Sequence, residues 1–355
     1  MAYSALKKKP RFFNKGFTPI PATVYGIGFW SLTMRFIIYG AGAIGGTLGS
    51  RLFVAGYEVL FIARGQHGST IVQDGLTYRN PHETLVQKIP SVPHPSAIAF
   101  RSDDVMILTV KSQDTVTALS DLAAVAPRNL PIFCAQNGVC NESLALRFFP
   151  RIYAMLVLCP GTYLTPGEVI HSARDPGGCF DTGCYPNGSD STAQAVAEAL
   201  EQSHFAANAD PKVMRLKHAK LLLNLGNPLQ LILKDFNHSR EIMRFLRQEA
   251  LSCFEAAGID CANQSESEAR FGLVKPETVA NAPRGGSSTW QSVARGQTQI
   301  ETPYLNGEIC LIGRENNIAT PANDRIATLA LKATNQADFR QQASSTLLEE
   351  IERNS

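Results

Sequence analysis

From Met34 onward the chain alternates between short apolar runs and stretches with helical spacing. "RFIIYG" (35–40) is apolar after its leading Arg35 and reads as a strand buried on both faces. "AIGGTLGSRLFVAG" (43–56) follows as a small-residue helix closed by Gly56, and "YEVLFIAR" (57–64) as a second strand. "DVMILTVK" (104–111) and "LPIFCAQN" (130–137) are two more β-rich runs, separated by the helically spaced "DTVTALSDLAAVA" (114–126). Strands alternating with helices predict a parallel sheet covered on both faces. After "YAMLVLC" (153–159), the segment Gly161 to Tyr185 is rich in Gly and Pro with short β-like pieces, and "STAQAVAEALEQSHF" (191–205) returns to helix. From about residue 208 the spacing is helical almost to the end. The expected division is therefore 1–33 as a poorly ordered extension, 34–207 as an α/β domain and 208–355 as an all-helical domain.

One helical stretch breaks its own pattern. "KHAKLLLNLGNPLQLIL" (217–233) holds eight Leu or Ile residues, yet Lys220, Asn224 and Asn227 sit among them. At about 100° per residue these three project within roughly 60° of one another. An unpartnered buried ammonium or amide costs several kcal/mol, so a stripe this narrow calls for a purpose.

The 355-residue chain is long enough for two domains with separate cores, and its 44% hydrophobic and 18% charged composition is that of a globular protein. Its net charge of +2 is unevenly spread. Lys7, Lys8, Lys9, Arg11 and Lys15 lie in the first 33 residues with no acid, leaving 28 basic against 31 acidic residues beyond. A slightly acidic body disfavours nucleic acid as the partner. The eight cysteines show no C-x-x-C and no paired metal spacing, so reduced thiols, no metal and a reducing, cytoplasmic setting are expected. No run of 18 apolar residues occurs, and no membrane association is expected. The basic start lacks a clean apolar stretch followed by a small-residue cleavage site, so no targeting signal is expected there.

"GAGAIGG" supplies Gly40, Ala41, Gly42, Ala43, Ile44 and Gly45 between a strand and a helix. In a G-x-G-x-x-G turn the first glycine permits the tight bend, the second lets backbone approach a pyrophosphate, and the third lets helix pack on strand. The free N–H groups of the helix N-terminus face the phosphates. This context predicts a Rossmann-type dinucleotide-binding domain. The second strand ends in "FIARGQHG" with no Asp or Glu for the ribose hydroxyls. Arg64 stands there instead and suits the 2′-phosphate of NADP(H); a flavin is disfavoured. Lys111 and Asn137 end the next two strands, where ligands of open α/β sheets bind.

Six motifs in order resemble the ketopantoate reductase (2-dehydropantoate 2-reductase) family: GAGAIG at 40–45, "TVKSQDT" at 109–115, "QNGVCNE" at 136–142, "KLLLN" at 220–224, "GGSSTWQS" at 285–292 and "ETPYLNG" at 301–307. The resemblance spans Met34 to about Thr328. It implies a Rossmann domain followed by a helical domain, with substrate in the cleft between them. It implies that Lys220 is the general acid, Glu301 the acid supporting substrate and lysine, and Ser288 a substrate-carboxylate ligand. Asn224 and Asn227 would face the substrate, Lys111 and Asn137 the nicotinamide ribose, and Arg64 the 2′-phosphate. The stripe then has its purpose, because a ketone turning into an alkoxide needs a nearby ammonium. Partial burial should lower that lysine's pKa toward the working pH. Lys217, a turn away, and His218 are the structural competitors.

The sequence departs from the family pattern in places. Pro228 occupies the place of the family's second helix asparagine, with Asn227 one residue earlier, and should end or kink the helix. Gly285, Trp290 and Ser292 replace the family's Asn, Met-side and acidic positions, so the pocket could be altered there. The expectation is an NADPH-dependent reductase of 2-dehydropantoate in pantothenate biosynthesis. Its partners are a small-molecule 2-oxo acid and, as the assembly to test, a second copy in a homodimer. The alternatives left open are a reductase of another bulky 2-oxo acid and a non-catalytic NADP(H)-binding sensor.

Overall fold

The computed structural model describes residues 34–282, 285–335 and 342–354. The basic segment 1–33 expected as an extension lies outside the described residues. In the first half the chain runs β1 (Arg35–Tyr39), α1 (Ala43–Val54), β2 (Glu58–Ile62), α2 (Gly65–Asp74), β3 (Leu76–Arg79), β4 (Thr84–Gln87), β5 (Ser91–Val92), β6 (Asp104–Leu108) and α3 (Thr115–Ala123). It continues through β7 (Ile132–Cys134), α4 (Asn141–Leu146), β8 (Ile152–Met155), β9 (Gly161–Thr162), β10 (Glu168–His171), β11 (Thr182–Cys184) and α5 (Ser191–Gln202).

Seven of these strands form one sheet in the order β11-β8-β7-β6-β1-β2-β5. All neighbours are parallel except the antiparallel edge strand β11. β1 sits centrally with Phe36, Ile37, Ile38 and Tyr39 almost fully buried. Its continuous apolar run is what a strand needs when helices cover both faces. Phe36 and Ile38 join Leu48, Leu52 and Phe61 on one face, while Ile37 and Tyr39 join Leu119, Leu122 and Phe149 on the other. The small side chains of α1 allow the helix to settle onto the sheet. A Cβ at Gly45 would overlap the Gly40 carbonyl oxygen, and Gly40 itself turns the chain at φ +106°, where L side chains are strained.

A second sheet, β4-β3-β10-β9, packs beside α1. The sequence pattern showed only its β9–β10 part as short β-like pieces and did not show β3 and β4. These are four-residue strands with partial burial, too short for a period-2 signal to stand out.

The second half is helical: α6 (Val213–Asn224), α7 (Leu229–Ile232), α8 (Ser239–Ala256), α9 (Gln264–Phe271), α10 (Ser288–Ala294), α11 (Asn306–Glu315), α12 (Pro321–Asn335) and α13 (Ser344–Asn354). α8 buries Ile242, Leu246, Ala250, Cys253 and Phe254, a one-face pattern of period 3.6. These pack with residues of α6, α11, α12 and α13 into one core. The stretch read as a single helix over 217–233 is two. α6 ends at Asn224, a turn follows, and Pro228 caps α7. Proline disfavours helical geometry in the preceding residue, so the break falls where the sequence places it.

Candidate active site

The carboxyl ends of β1, β2, β6, β7 and β8 open onto a cleft of about 690 Å³ whose far wall comes from α6, α10 and Glu301. The glycine-rich turn, Arg64, Lys111, Asn137, Lys220, Asn224, Asn227, Ser288 and Glu301 all border it. Groups distant in sequence are thus gathered at the edge where open parallel sheets bind ligands.

Lys220 is 9% exposed, and its Nζ donates to Asn137 Oδ1. Burial pushes its pKa down to about 7, aided by the Lys217 and Lys111 cations and opposed by Glu301. The amine therefore exchanges its proton close to neutrality. Asn137 stays in place through the turn that follows β7, where Asn141 Nδ2 donates to the Asn137 carbonyl at 3.2 Å and to Ser112 Oγ at 3.2 Å.

Glu301 is 5% exposed and is ion-paired with Lys111. Its other oxygen accepts from the Ser112 N–H and hydroxyl, both at 3.3 Å. Lys111 and Asn137, expected beside the nicotinamide ribose, thus spend a hydrogen bond each on the residues of the opposite wall. The result is a continuous polar lattice from Lys111 and Glu301 on one side to Asn137 and Lys220 on the other.

Asn224 ends α6 and borders the cleft, with its Oδ1 buried and without a hydrogen-bond partner. Asn227, on the turn after the helix, donates to Ser288 Oγ at 3.4 Å, so the Pro228 shift does not turn it away. Ser287 caps α10 and its hydroxyl donates to the Asn227 carbonyl at 2.8 Å, which holds turn and serine motif together. The other departures from the family pattern stay off the cleft wall. Trp290 packs over Gly286, and the Ser292 hydroxyl donates back to the Ser288 carbonyl at 3.2 Å. Neither Trp290 nor Ser292 itself borders the cleft, while Gly286, on which Trp290 packs, does.

Lys217 is 3% exposed and paired with Glu142 at 2.6 Å, and it donates to three strand-end carbonyls at 3.1 to 3.3 Å. His218 stacks edge-on against Phe254, and burial lowers its pKa to about 4. Neither competitor of Lys220 reaches the cleft. Sequence reasoning missed His67, Tyr163, Gln291 and Arg295, which also border it. Tyr163 follows β9 in the segment read only as irregular, and Arg295 follows the serine motif by one turn, a spacing that could have singled it out.

The turn also fits a dinucleotide. Only Tyr163 Cδ1, at 3.7 Å, would approach a Cβ placed on Gly42, so the space in front of that backbone is open. α1 begins at Ala43 with no side-chain cap, leaving N–H groups free to receive phosphate oxygens.

Comparison with known proteins agrees with this geometry. Residues 36–183 match the family model described as ketopantoate reductase PanE/ApbA, and residues 212–334 match its C-terminal model. A 2-dehydropantoate 2-reductase from Aquifex aeolicus is 26% identical over 324 residues, covering 84% of this chain and 96% of that protein. The crystal structure of a PanE/ApbA family ketopantoate reductase from Ralstonia eutropha superimposes with a TM-score of 0.72 at 26% identity, over 85% of this chain and 99% of that one. A D-mandelate dehydrogenase solved with NADH and anilino(oxo)acetate shares the fold, with a TM-score of 0.72 at 22% identity over 85% of this chain and 99% of that one.

Proposed function

This chain belongs to the ketopantoate reductase family of dinucleotide-dependent oxidoreductases, and we propose that it reduces 2-dehydropantoate (ketopantoate) to (R)-pantoate with NADPH. The observation carrying this reading is Lys220: a buried amine whose proton is exchangeable near pH 7, on the wall facing the glycine-rich turn. The reading assigns residues 34–207 to the dinucleotide lobe and 208–355 to the lobe that brings the acid.

When bound, the reduced nicotinamide supplies the hydride. Lys220 gives its proton to the ketone oxygen as charge develops there, so the carbonyl becomes an alcohol and the amine is left neutral. Asn137, accepting one N–H of Lys220, leaves the remaining donors free for that oxygen. Glu301 keeps the Lys111 cation in check and steadies the ammonium form of Lys220. Ser288 and Asn227 offer a hydroxyl and an amide to the carboxylate. Asn224, which borders the cleft at the end of α6, is the proposed amide partner of the hydroxyl of 2-dehydropantoate. Arg64, exposed at the end of β2 where no acid stands, is the proposed ligand of the 2′-phosphate.

Steady-state turnover of a panel of 2-oxo acids with NADPH and NADH tests the reading. Brisk reduction of 2-dehydropantoate with NADPH is expected. Brisk turnover of a different branched acid beside a poor rate with 2-dehydropantoate would reject the substrate. Dinucleotide binding without oxidation across the whole panel would make the protein a sensor.

A further inference from the structure

Among the groups at the cleft still without a role are His67, Tyr163, Gln291 and Arg295. They form one cluster over the glycine-rich turn. The Gly167 N–H donates to His67 Nδ1 at 2.8 Å, which leaves Nε2 to donate to the Ala41 carbonyl at 2.7 Å. A backbone N–H can only donate, so the ring is neutral, and burial lowers its pKa in the same sense. His67 thereby fixes the turn from behind. Its ring lies 4.4 Å from that of Tyr163, whose Cδ1 stands 3.7 Å from the Cβ position of Gly42.

Arg295 comes from the other lobe. Its guanidinium lies over the Tyr163 ring, 4.8 Å from the centroid, and Nη1 donates to the Tyr163 carbonyl at 2.6 Å. One helical turn earlier, Gln291 accepts from the Tyr163 N–H and donates to the Gly161 carbonyl, both at 3.3 Å. α10 is thus stitched to the 161–163 segment, and the stitch carries a cation to the neighbourhood of Gly42.

What the cluster lacks is an anion in contact with Arg295, on which Glu301 acts only through space. The other partners of Arg295 are neutral oxygens, Ser292 Oγ at 3.5 Å and Gln297 Oε1 at 3.2 Å. Its Nε is buried and donates to nothing. No carboxylate is among its hydrogen-bond or ion-pair partners in the described residues. Neutral acceptors and a ring face offset part of the solvation that a half-buried guanidinium loses, and a counter-charge offsets more. The fork of a guanidinium matches phosphate oxygens in particular.

We propose that Arg295 binds the diphosphate of the dinucleotide, reaching from the helical lobe across Tyr163 to the glycine-rich turn. The inference rests on the reading that this cleft holds such a cofactor. The substrate carboxylate is the lesser fit, because Arg295 lies seven residues past Ser288, about 10 Å along the helix axis.

The test measures binding of NADPH, NADH, ADP and adenosine to the full chain and to Arg295→Gln. NADPH, NADH and ADP should each weaken by about 10- to 100-fold, the worth of a charge-assisted contact, while adenosine is unmoved. Arg295→Lys keeps the charge without the fork, should show the same selectivity for phosphate at smaller size, and serves if the glutamine variant does not fold. Unchanged ADP and dinucleotide affinity in a folded variant would overturn the inference. So would a rise confined to the KM of the 2-oxo acid at saturating NADPH, which would make Arg295 a carboxylate ligand. Should the unaltered protein bind neither ADP nor a dinucleotide, the cofactor reading itself falls, and this inference with it.

Discussion

An amine that gives up its proton near neutrality leaves a signature in stability as well as in rate. Lys220 has a pKa near 7 when folded, below its ordinary 10.5. Between those values the unfolded chain holds a proton that the folded chain has released, so Lys220 makes stability rise with pH across that window. After burial itself, Lys217 and Lys111 push the pKa down while Glu301 and Cys159 oppose them. Lys220→Met removes the ionisation. Chemical denaturation of both proteins from pH 7 to 10.5 should show the variant's advantage largest near pH 7 and shrinking above. A constant difference would mean that Lys220 titrates normally. The same proton predicts that kcat/KM for reduction falls about tenfold per unit on the alkaline side, beginning near pH 7. Arg64 makes a separate prediction: Arg64→Ala should weaken NADPH by about tenfold or more and leave NADH nearly unchanged, in equilibrium titrations. Equal losses for both would put Arg64 on a part the two dinucleotides share, and no loss for either would return it to an ordinary surface role.

At the scale of elements, α6 carries one buried lysine for the cleft and another for its own anchorage. Lys217 pins the helix to the ends of β7 and β8 through Glu142 and the carbonyls of Cys134, Gln136 and Met155. Lys217→Met strands a fully buried carboxylate and should cost about 3–5 kcal/mol in denaturant melts, with Glu142→Gln in addition recovering much of it. A double variant as unstable as the single would show that the carbonyl contacts matter more than the charge pair. The sequence made the continuous apolar strands legible, as it did the glycine-rich turn and the polar stripe, because each follows from local periodicity. Pro228 was also legible as the point where α6 must give way. Lys217 was not. Its partners lie more than 60 residues away, so nothing nearby distinguishes its burial from that of Lys220. β3 and β4 were missed for a related reason, since four residues with mixed burial carry almost no period.

For the molecule as a whole, the question is whether the sheet and the helical lobe unfold together. Ala154 and Leu156, in and just after β8, pack with Val213, Leu216 and Ala219 of α6, which makes an apolar seam directly beside the Lys217 anchor. The cleft draws its walls from both sides of that seam. Heat should therefore unfold the described structure in one transition, because losing the sheet exposes the α6 face and strands its lysine. A dinucleotide held against both walls should raise that single transition. At about 100 times its dissociation constant the added stability is about 2.7 kcal/mol. Lys220→Met should keep this gain, since the amine acts on the acid rather than on the cofactor, whereas Arg64→Ala should lose part of it with NADPH alone. Differential scanning calorimetry with and without NADPH separates the possibilities. Two resolved transitions, only the earlier of which moves with NADPH, would mean that the lobes melt independently and that the cofactor leans on one wall only.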